Sequence, residues 1–218
     1  ALCLLVAQSA FALMGDFSVG YRMGNLTKLS TKGIIKSGEG QLLLGNESSP
    51  YTNKAGKAIN PWYFSASKKD VNEFQALTGE YVVVEYEQAR VKNPMKDTDY
   101  TAKKIYPVTR TLPSPQVCQS SKVSGMKSDG VRAGRIVKAS LKGNVINTWE
   151  IEVQMGDGGN QFKNMSVSEK HMFDCAVAYL KSGKKAKIYY KESFIKNPLE
   201  QNTNYDVYKI EPVGAGLN

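Results

Sequence analysis

Residues 20–108 and 130–213 carry one pattern twice. The string Gly20-Tyr-Arg-Met-Gly-Asn-Leu-Thr-Lys28-Leu-Ser-Thr-Lys-Gly33 is matched by Gly130-Val-Arg-Ala-Gly-Arg-Ile-Val-Lys138-Ala-Ser-Leu-Lys-Gly143. Lys92-Asn93-Pro94 returns as Lys196-Asn197-Pro198, and the stretch from Thr98 to Val108 returns from Thr203 to Val213. A repeat of this length constrains the fold more than any local signal, because each copy must be one foldable unit. It also lets an element read in one copy be checked in the other. The chain of 218 residues has room for two modest units. The expected division is a first unit at 16–110, a linker at 111–129 containing Pro113 and Pro115, and a second unit at 130–214.

Each copy parses into the same series. A first strand covers Tyr21–Ser30 or Val131–Ser140, with its alternation slipping near Gly24 or Gly134; a glycine at such a slip predicts a bulge or sharp coil. In the second strand Trp149, Ile151, Val153 and Met155 alternate with Glu150, Glu152 and Gln154, so one face is buried and Glu150 points out. The first copy has Glu39 at the matching outward place and glycines, Gly38 and Gly40, where the second has bulky residues. A short third strand follows, at Trp62–Ala66 or Phe162–Val167. Ser67 and Ser168 then sit where a helix N-cap belongs, and Gly79 and Gly183 where each helix stops. The fourth strand spans Tyr81–Glu87 or Lys185–Lys191, and the fifth Tyr100–Val108 or Tyr205–Val213. Val83 and Leu43 are expected to face outward. This is an all-β chain with one short helix per repeat. The order, with a helix between strands three and four, predicts two tandem five-stranded barrels of the OB-fold type. An SH3-like barrel or a helix-capped meander is the competing architecture.

The first twelve residues differ from the rest: uncharged, mostly apolar, ending in Ala10-Phe11-Ala12. They read as the end of an export signal, which predicts a periplasmic or secreted bacterial protein, with Cys3 removed. Cys118 and Cys175 remain, and the spacing leaves open one bridge or two separate thiols. The net charge of +9 favours anionic partners, a glycan, a lipid head group or nucleic acid, with an envelope protein as the other expected partner. The basic residues are spread over both copies rather than massed in one run, which weakens the nucleic-acid reading.

No catalytic constellation is legible. His171 has Asp70 at its place in the other copy, and Glu39 and Glu150 belong to different units. No metal-ligand spacing or phosphate-binding glycine loop is present, and no cofactor is expected. A binding role is expected instead, with a structural part in an envelope assembly as the alternative and a hydrolase or nuclease as a distant one. OB barrels bind over strands two and three, rimmed by the loops after strands one and four. Those positions hold Lys28, Lys32, Lys36, Arg90, Lys92 and Lys96 in the first copy, and Lys138, Lys142, Lys191 and Lys196 in the second. Tyr63, Tyr189 and Phe194 are the candidate aromatic platforms, Trp62 and Tyr63 having packing as their plainer reading.

The motif Gly24-x-Leu-x-Lys28-x-Ser30-x-Lys32-Gly33, continued by Lys36, Glu39, Gly40 and Leu42, resembles a pattern in small uncharacterised bacterial β-rich proteins. The second copy follows it to Lys142-Gly143, then departs at Asn144 and carries Ile151 in place of Gly40. The tandem arrangement more loosely resembles exported bacterial OB proteins. The resemblance implies a compact β-rich module and no activity.

Overall fold

The computed structural model describes residues 16–31, 37–45, 60–91, 93–94, 96–121, 128–143, 148–156, 161–193 and 202–214. The leader-like stretch 1–12 and the candidates Lys32, Lys36, Lys92, Phe194 and Lys196 lie outside them. The described residues are mostly strand, with two helices. The first half contains β1 (Asp16–Thr31), β2 (Gly38–Leu44), β3 (Pro61–Ala66), α1 (Lys68–Gln75), β4 (Tyr81–Ala89) and β5 (Tyr100–Pro107). The second contains β6 (Cys118–Gln119), β7 (Ser128–Lys142), β8 (Thr148–Met155), β9 (Phe162–Val167), α2 (Lys170–Ser182), β10 (Ala186–Glu192) and β11 (Tyr205–Pro212). Neither helix is long and apolar enough to cross a membrane.

Strand pairing in the first half runs in a closed circuit. β1 pairs β2, β2 pairs β3, β3 meets β5 in parallel at Ser65–Thr101, β5 pairs β4, and β4 returns to β1. The second half repeats the circuit through β7, β8, β9, β11 and β10, with Ser166–Asp206 as the parallel contact. β1 and β7 then pair antiparallel from Ser18–Lys142 to Arg22–Lys138, joining the halves into one 11-stranded sheet.

The long first strand serves two partners in each half: its start follows β4 or β10 and its end follows β2 or β8. The handover falls at Gly24 and Gly134. A Cβ there would lie 2.1 Å from the carbonyl oxygen of Leu43 or Gln154, so only glycine allows the backbones to approach. The register shift is displaced from the position expected. It falls between Leu26 and Lys28, and between Ile136 and Lys138, beyond each glycine. The parity slip has another cause as well. Met23 is buried against the second half, whereas Leu26 is buried in the core of the first. Around Met23 and Leu26 both faces of β1 are therefore covered, and alternation there no longer marks a single inside.

Two cores result. One, in the first half, holds Leu26, Leu29, Leu42, Trp62, Phe64, Val71, Phe74, Val84 and Tyr86. The other joins the second half to Met23, Tyr81, Val83 and Val108 of the first. Val83, expected outward, is fully buried there, and Leu43 is buried too. The glycine substitutions in β2 follow from local packing: a Cβ at Gly40 would lie 2.1 Å from the Phe64 ring, and at Gly38 2.5 Å from Val71. In the second half Ile151 pairs across to the slimmer Met165.

The helix starts differ from expectation. Ser67 occupies the N-cap of α1, but its hydroxyl donates to the Asp70 carboxylate (2.6 Å) rather than capping a backbone N–H. In α2 the N-cap is Glu169, and Ser168 instead donates to Asp206 (2.8 Å). The stretch from 108 to 121, mostly read as linker, is folded onto the second half. β6 adds to β11, Tyr179 donates to the Gln116 carbonyl, and Thr109 N–H donates to Lys181 (2.9 Å). Cys118 and Cys175 are bridged, with Cα atoms 6.5 Å apart, fixing β6 to α2.

Candidate functional site

The first half carries a cleft of about 320 Å³ on β1, β2 and β3 and the segment before β5, lined by Lys28, Glu39, Gly40, Tyr63, Phe64, Asp97 and Thr98. Each wall follows from local structure. Alternation along β3 turns Trp62 and Phe64 inward and leaves Tyr63 between them, 52% exposed. The register shift after Leu26 sets an exposed Lys28 opposite Gln41, where Thr27 donates to the Gln41 carbonyl (3.3 Å). Gly40 lets the Phe64 ring form the floor. The segment carrying Asp97 and Thr98 is latched to β3: Thr98 N–H donates to Ser65 Oγ (3.4 Å), and the Thr98 hydroxyl donates to the Tyr100 carbonyl (2.8 Å). Lys96 reinforces it with a bond to Thr101 Oγ1 (2.7 Å).

The second half repeats the latch and alters the cleft. Thr203 N–H donates to Ser166 Oγ (3.0 Å) and the Thr203 hydroxyl to the Tyr205 carbonyl (3.0 Å). Asn202 stands where the first half has Asp97, and its amide donates to both Thr148 Oγ1 and Glu150. Glu150, expected to point outward, is therefore buried and hydrogen-bonded. Asn164 replaces Tyr63 on this face.

Of the candidates read from sequence, Lys28 and Tyr63 come together. Arg90 lies just beyond β4 and Lys96 is engaged with Thr101; neither lines this cleft. Lys138 is opposite Glu152 and Arg22, and Lys142 lies over the Phe17 ring at 5.4 Å. Tyr189 and Lys191 sit in a separate cluster on β10 and β11. Lys191 lies over Tyr208 (5.3 Å), Tyr208 is 6.1 Å from Tyr189, and Tyr189 donates to Glu211 (2.7 Å). That bond raises the Tyr189 phenol, and hydrogen bonds from Lys209 and Tyr189 lower the Glu211 carboxyl. Trp62 is core, and Tyr63 is not.

Sequence reasoning missed a repeated constellation beside the cleft. The Arg22 guanidinium lies over Trp62 (4.7 Å), Tyr86 (5.4 Å) and Tyr100 (5.4 Å), with Arg22 only 9% exposed. Burial raises the Tyr100 phenol, while the charge of Arg22 pulls it the other way. Arg132 over Tyr190 (5.5 Å), with Tyr190 edge-on to Tyr205, repeats the arrangement, and Lys163 over Tyr205 (3.6 Å) stands where Trp62 does. The signal was the shared Arg two places after Gly20 and Gly130 together with Tyr100 and Tyr205. Its meaning needs four strands brought together.

Among the described residues no group of three or more His, Cys, Asp or Glu side chains is placed to hold a metal ion. His171, half exposed, contacts Glu169 (3.2 Å) and the Gln119 carbonyl (3.1 Å), which fastens β6 to the start of α2.

No curated protein matches the sequence significantly. Among solved structures, the wild-type single-stranded DNA binding protein from Thermus aquaticus aligns over 93% of this chain and 96% of its own at 12% identity, with a TM-score of 0.26. A deletion mutant of that protein aligns over 90% and 94% at 11% identity, with a TM-score of 0.27. A family model described as a domain of unknown function (DUF8785) matches residues 15–112, the first half of the chain.

Proposed function

We propose that this chain is a non-enzymatic binding protein of two OB-like barrels, exported to an oxidising compartment, whose first half takes an oligosaccharide in the cleft under Tyr63. The closed strand circuit with a parallel β3–β5 contact and a helix between β3 and β4 supports the OB-like reading of each half. The Cys118–Cys175 bridge supports the compartment, since disulfides persist where conditions oxidise.

One observation carries the binding role: a half-exposed aromatic, Tyr63, stands over a cleft rimmed by an ammonium, two carboxylates and a hydroxyl. An aromatic face suits the C–H face of a sugar, and Lys28, Glu39, Asp97 and Thr98 suit its hydroxyls. Two carboxylates in the cleft disfavour a phosphate backbone there. The same two carboxylates disfavour an acidic glycan, so the cleft itself suits a neutral sugar, while the overall charge of +9 draws acidic chains to the surface outside it. Val83 and Leu43, expected to face outward, are buried within the chain, so neither offers an apolar surface to an envelope assembly.

The test titrates the protein with heparin-derived oligosaccharides, a neutral chito-oligosaccharide and a thymidine oligomer, reading heat of binding. Tyr63→Ala is expected to weaken the neutral oligosaccharide about tenfold, about 1.4 kcal/mol, with the melting temperature unchanged. Binding of the thymidine oligomer alone, with a steep salt dependence, would replace the glycan reading by a nucleic-acid one. Heparin retention no stronger than that of a neutral control protein would remove the electrostatic part.

A further inference from the structure

A second cleft, of about 400 Å³, opens where the halves meet. Tyr21 of β1 with Glu85 and Glu87 of β4 line it from the first half, and Trp149, Phe173 and Asp174 from the second. We propose that this inter-half cleft binds a small organic cation, an ammonium or amidinium carried on an aromatic or hydrocarbon body. The site is distinct from the one under Tyr63.

An aromatic wall supplies the apolar contact. Trp149 and Phe173 stack with ring centres 6.2 Å apart, and both stay only partly buried although they stand in the joint. Their counterparts in the first half are Gly38 and Asn72, so these rings occur only where the cleft exists. Tyr21 faces them from β1, and Val19 beside it is 42% exposed.

The polar part is charge. Among the lining residues Glu85, Glu87 and Asp174 exceed Lys103 and Lys170 by one carboxylate, in a chain of net charge +9. Lys103 is held by Glu87 (2.8 Å) and Lys170 by Asp174 (2.7 Å), while Glu85 makes no ion pair among the described residues. The second half has Tyr189 and Lys191 in place of Glu85 and Glu87, so the acidic strip also belongs to this cleft alone. Tyr21 reports the same field: burial raises its phenol first, then the charges of Glu85 and Asp174. Lys181, which does not line the cleft, places an ammonium 4.6 Å from the Tyr21 ring centre, so that ring accepts a cation on its face. A cationic head near Glu85 with its body against Trp149 and Phe173 satisfies both parts.

The probes are benzamidine, neutral benzamide and anionic benzoate, added to the full chain. The fluorescence of Trp149 is read in a Trp62→Phe background. Benzamidine is expected to change it saturably, benzamide to bind about tenfold more weakly, and benzoate not to bind. Glu85→Gln is expected to erase the preference for benzamidine over benzamide, and Phe173→Asn to weaken both, each with an unchanged melting temperature. Tyr63→Ala is expected to leave benzamidine binding intact, which separates this site from the glycan cleft. Equal binding of benzoate and benzamidine, a preference that survives Glu85→Gln, or no saturable signal would overturn the proposal. A variant that melts early is replaced by Glu87→Gln at the same rim, which must then lower the preference.

Discussion

At the residue scale, neighbouring side chains of one type take opposite roles, and strand direction decides which. Trp62 and Tyr63 are adjacent aromatics that composition cannot tell apart, yet β3 buries one and exposes the other. Arg22 was legible as a repeated residue but not as a buried cation among three rings. Its contacts depend on the flat guanidinium, so Arg22→Lys keeps the charge and loses the stacking. The expected cost is about 1 kcal/mol, read as a lower denaturant midpoint with unchanged slope. An unchanged midpoint would mean that the rings do not stabilise the guanidinium. Tyr106 gives a second prediction at this scale. Burial first, then the neighbouring Tyr21 and Glu85, pushes its phenol up to about 12 from 10.0. The folded chain thus holds that proton after the unfolded chain has lost it. The associated stability is complete below pH 10 and is lost as pH rises through about 12. Denaturation midpoints across that window should fall less steeply for Tyr106→Phe.

At the element scale, alternation and turn residues read the strands well, because each strand has at least one face in a core. What they missed were register shifts, helix caps and the fate of the linker. The shifts at Thr27 and Val137 are set by partners on both sides of one long strand, which no single strand encodes. Serine at a helix start is a cap only if no carboxylate competes, and Asp70 and Asp206 do compete. The stretch after β5 looked like a polar connection, yet it supplies β6 and a cysteine. The bridge closes a loop with a sequence separation of 57, so the loop-entropy account gives about 4 kcal/mol for its removal. The double replacement of Cys118 and Cys175 by Ser should lower unfolding stability by that order in urea. It should also speed amide exchange in 116–121. Exchange there as slow as in the parent chain would show that His171 and Tyr179 alone hold β6.

At the scale of the whole molecule, the two halves share a core, a sheet and a cleft. α2 runs 13 residues against 8 for α1, and its last turn reaches the first half through Lys181 and Gly183. Met23 belongs to the first half by sequence and to the second half's core by position. Met23→Ala should therefore cost about 3 kcal/mol and lower the unfolding of both halves together. Single-tryptophan variants check this, with Trp62 reporting the first half and Trp149 the second. Separate transitions, with only the first shifted, would mean that the shared core does not couple them. The sequence by itself determined the recurring motifs of 20–108 and 130–213, the order of strands and helices in each stretch, the hinge glycines of the long strands and Tyr63 as a candidate platform. Those features are local or are written twice, so one chain reveals them. Only the tertiary structure decided that β1 is covered on both faces around Met23 and Leu26, that Glu150 is buried where Glu39 lines a cleft, and that residues 116–121 pack on the second half. The physical reason is that burial on an outer face depends on what docks there. The docking of one copy on the other obeys no period along the chain.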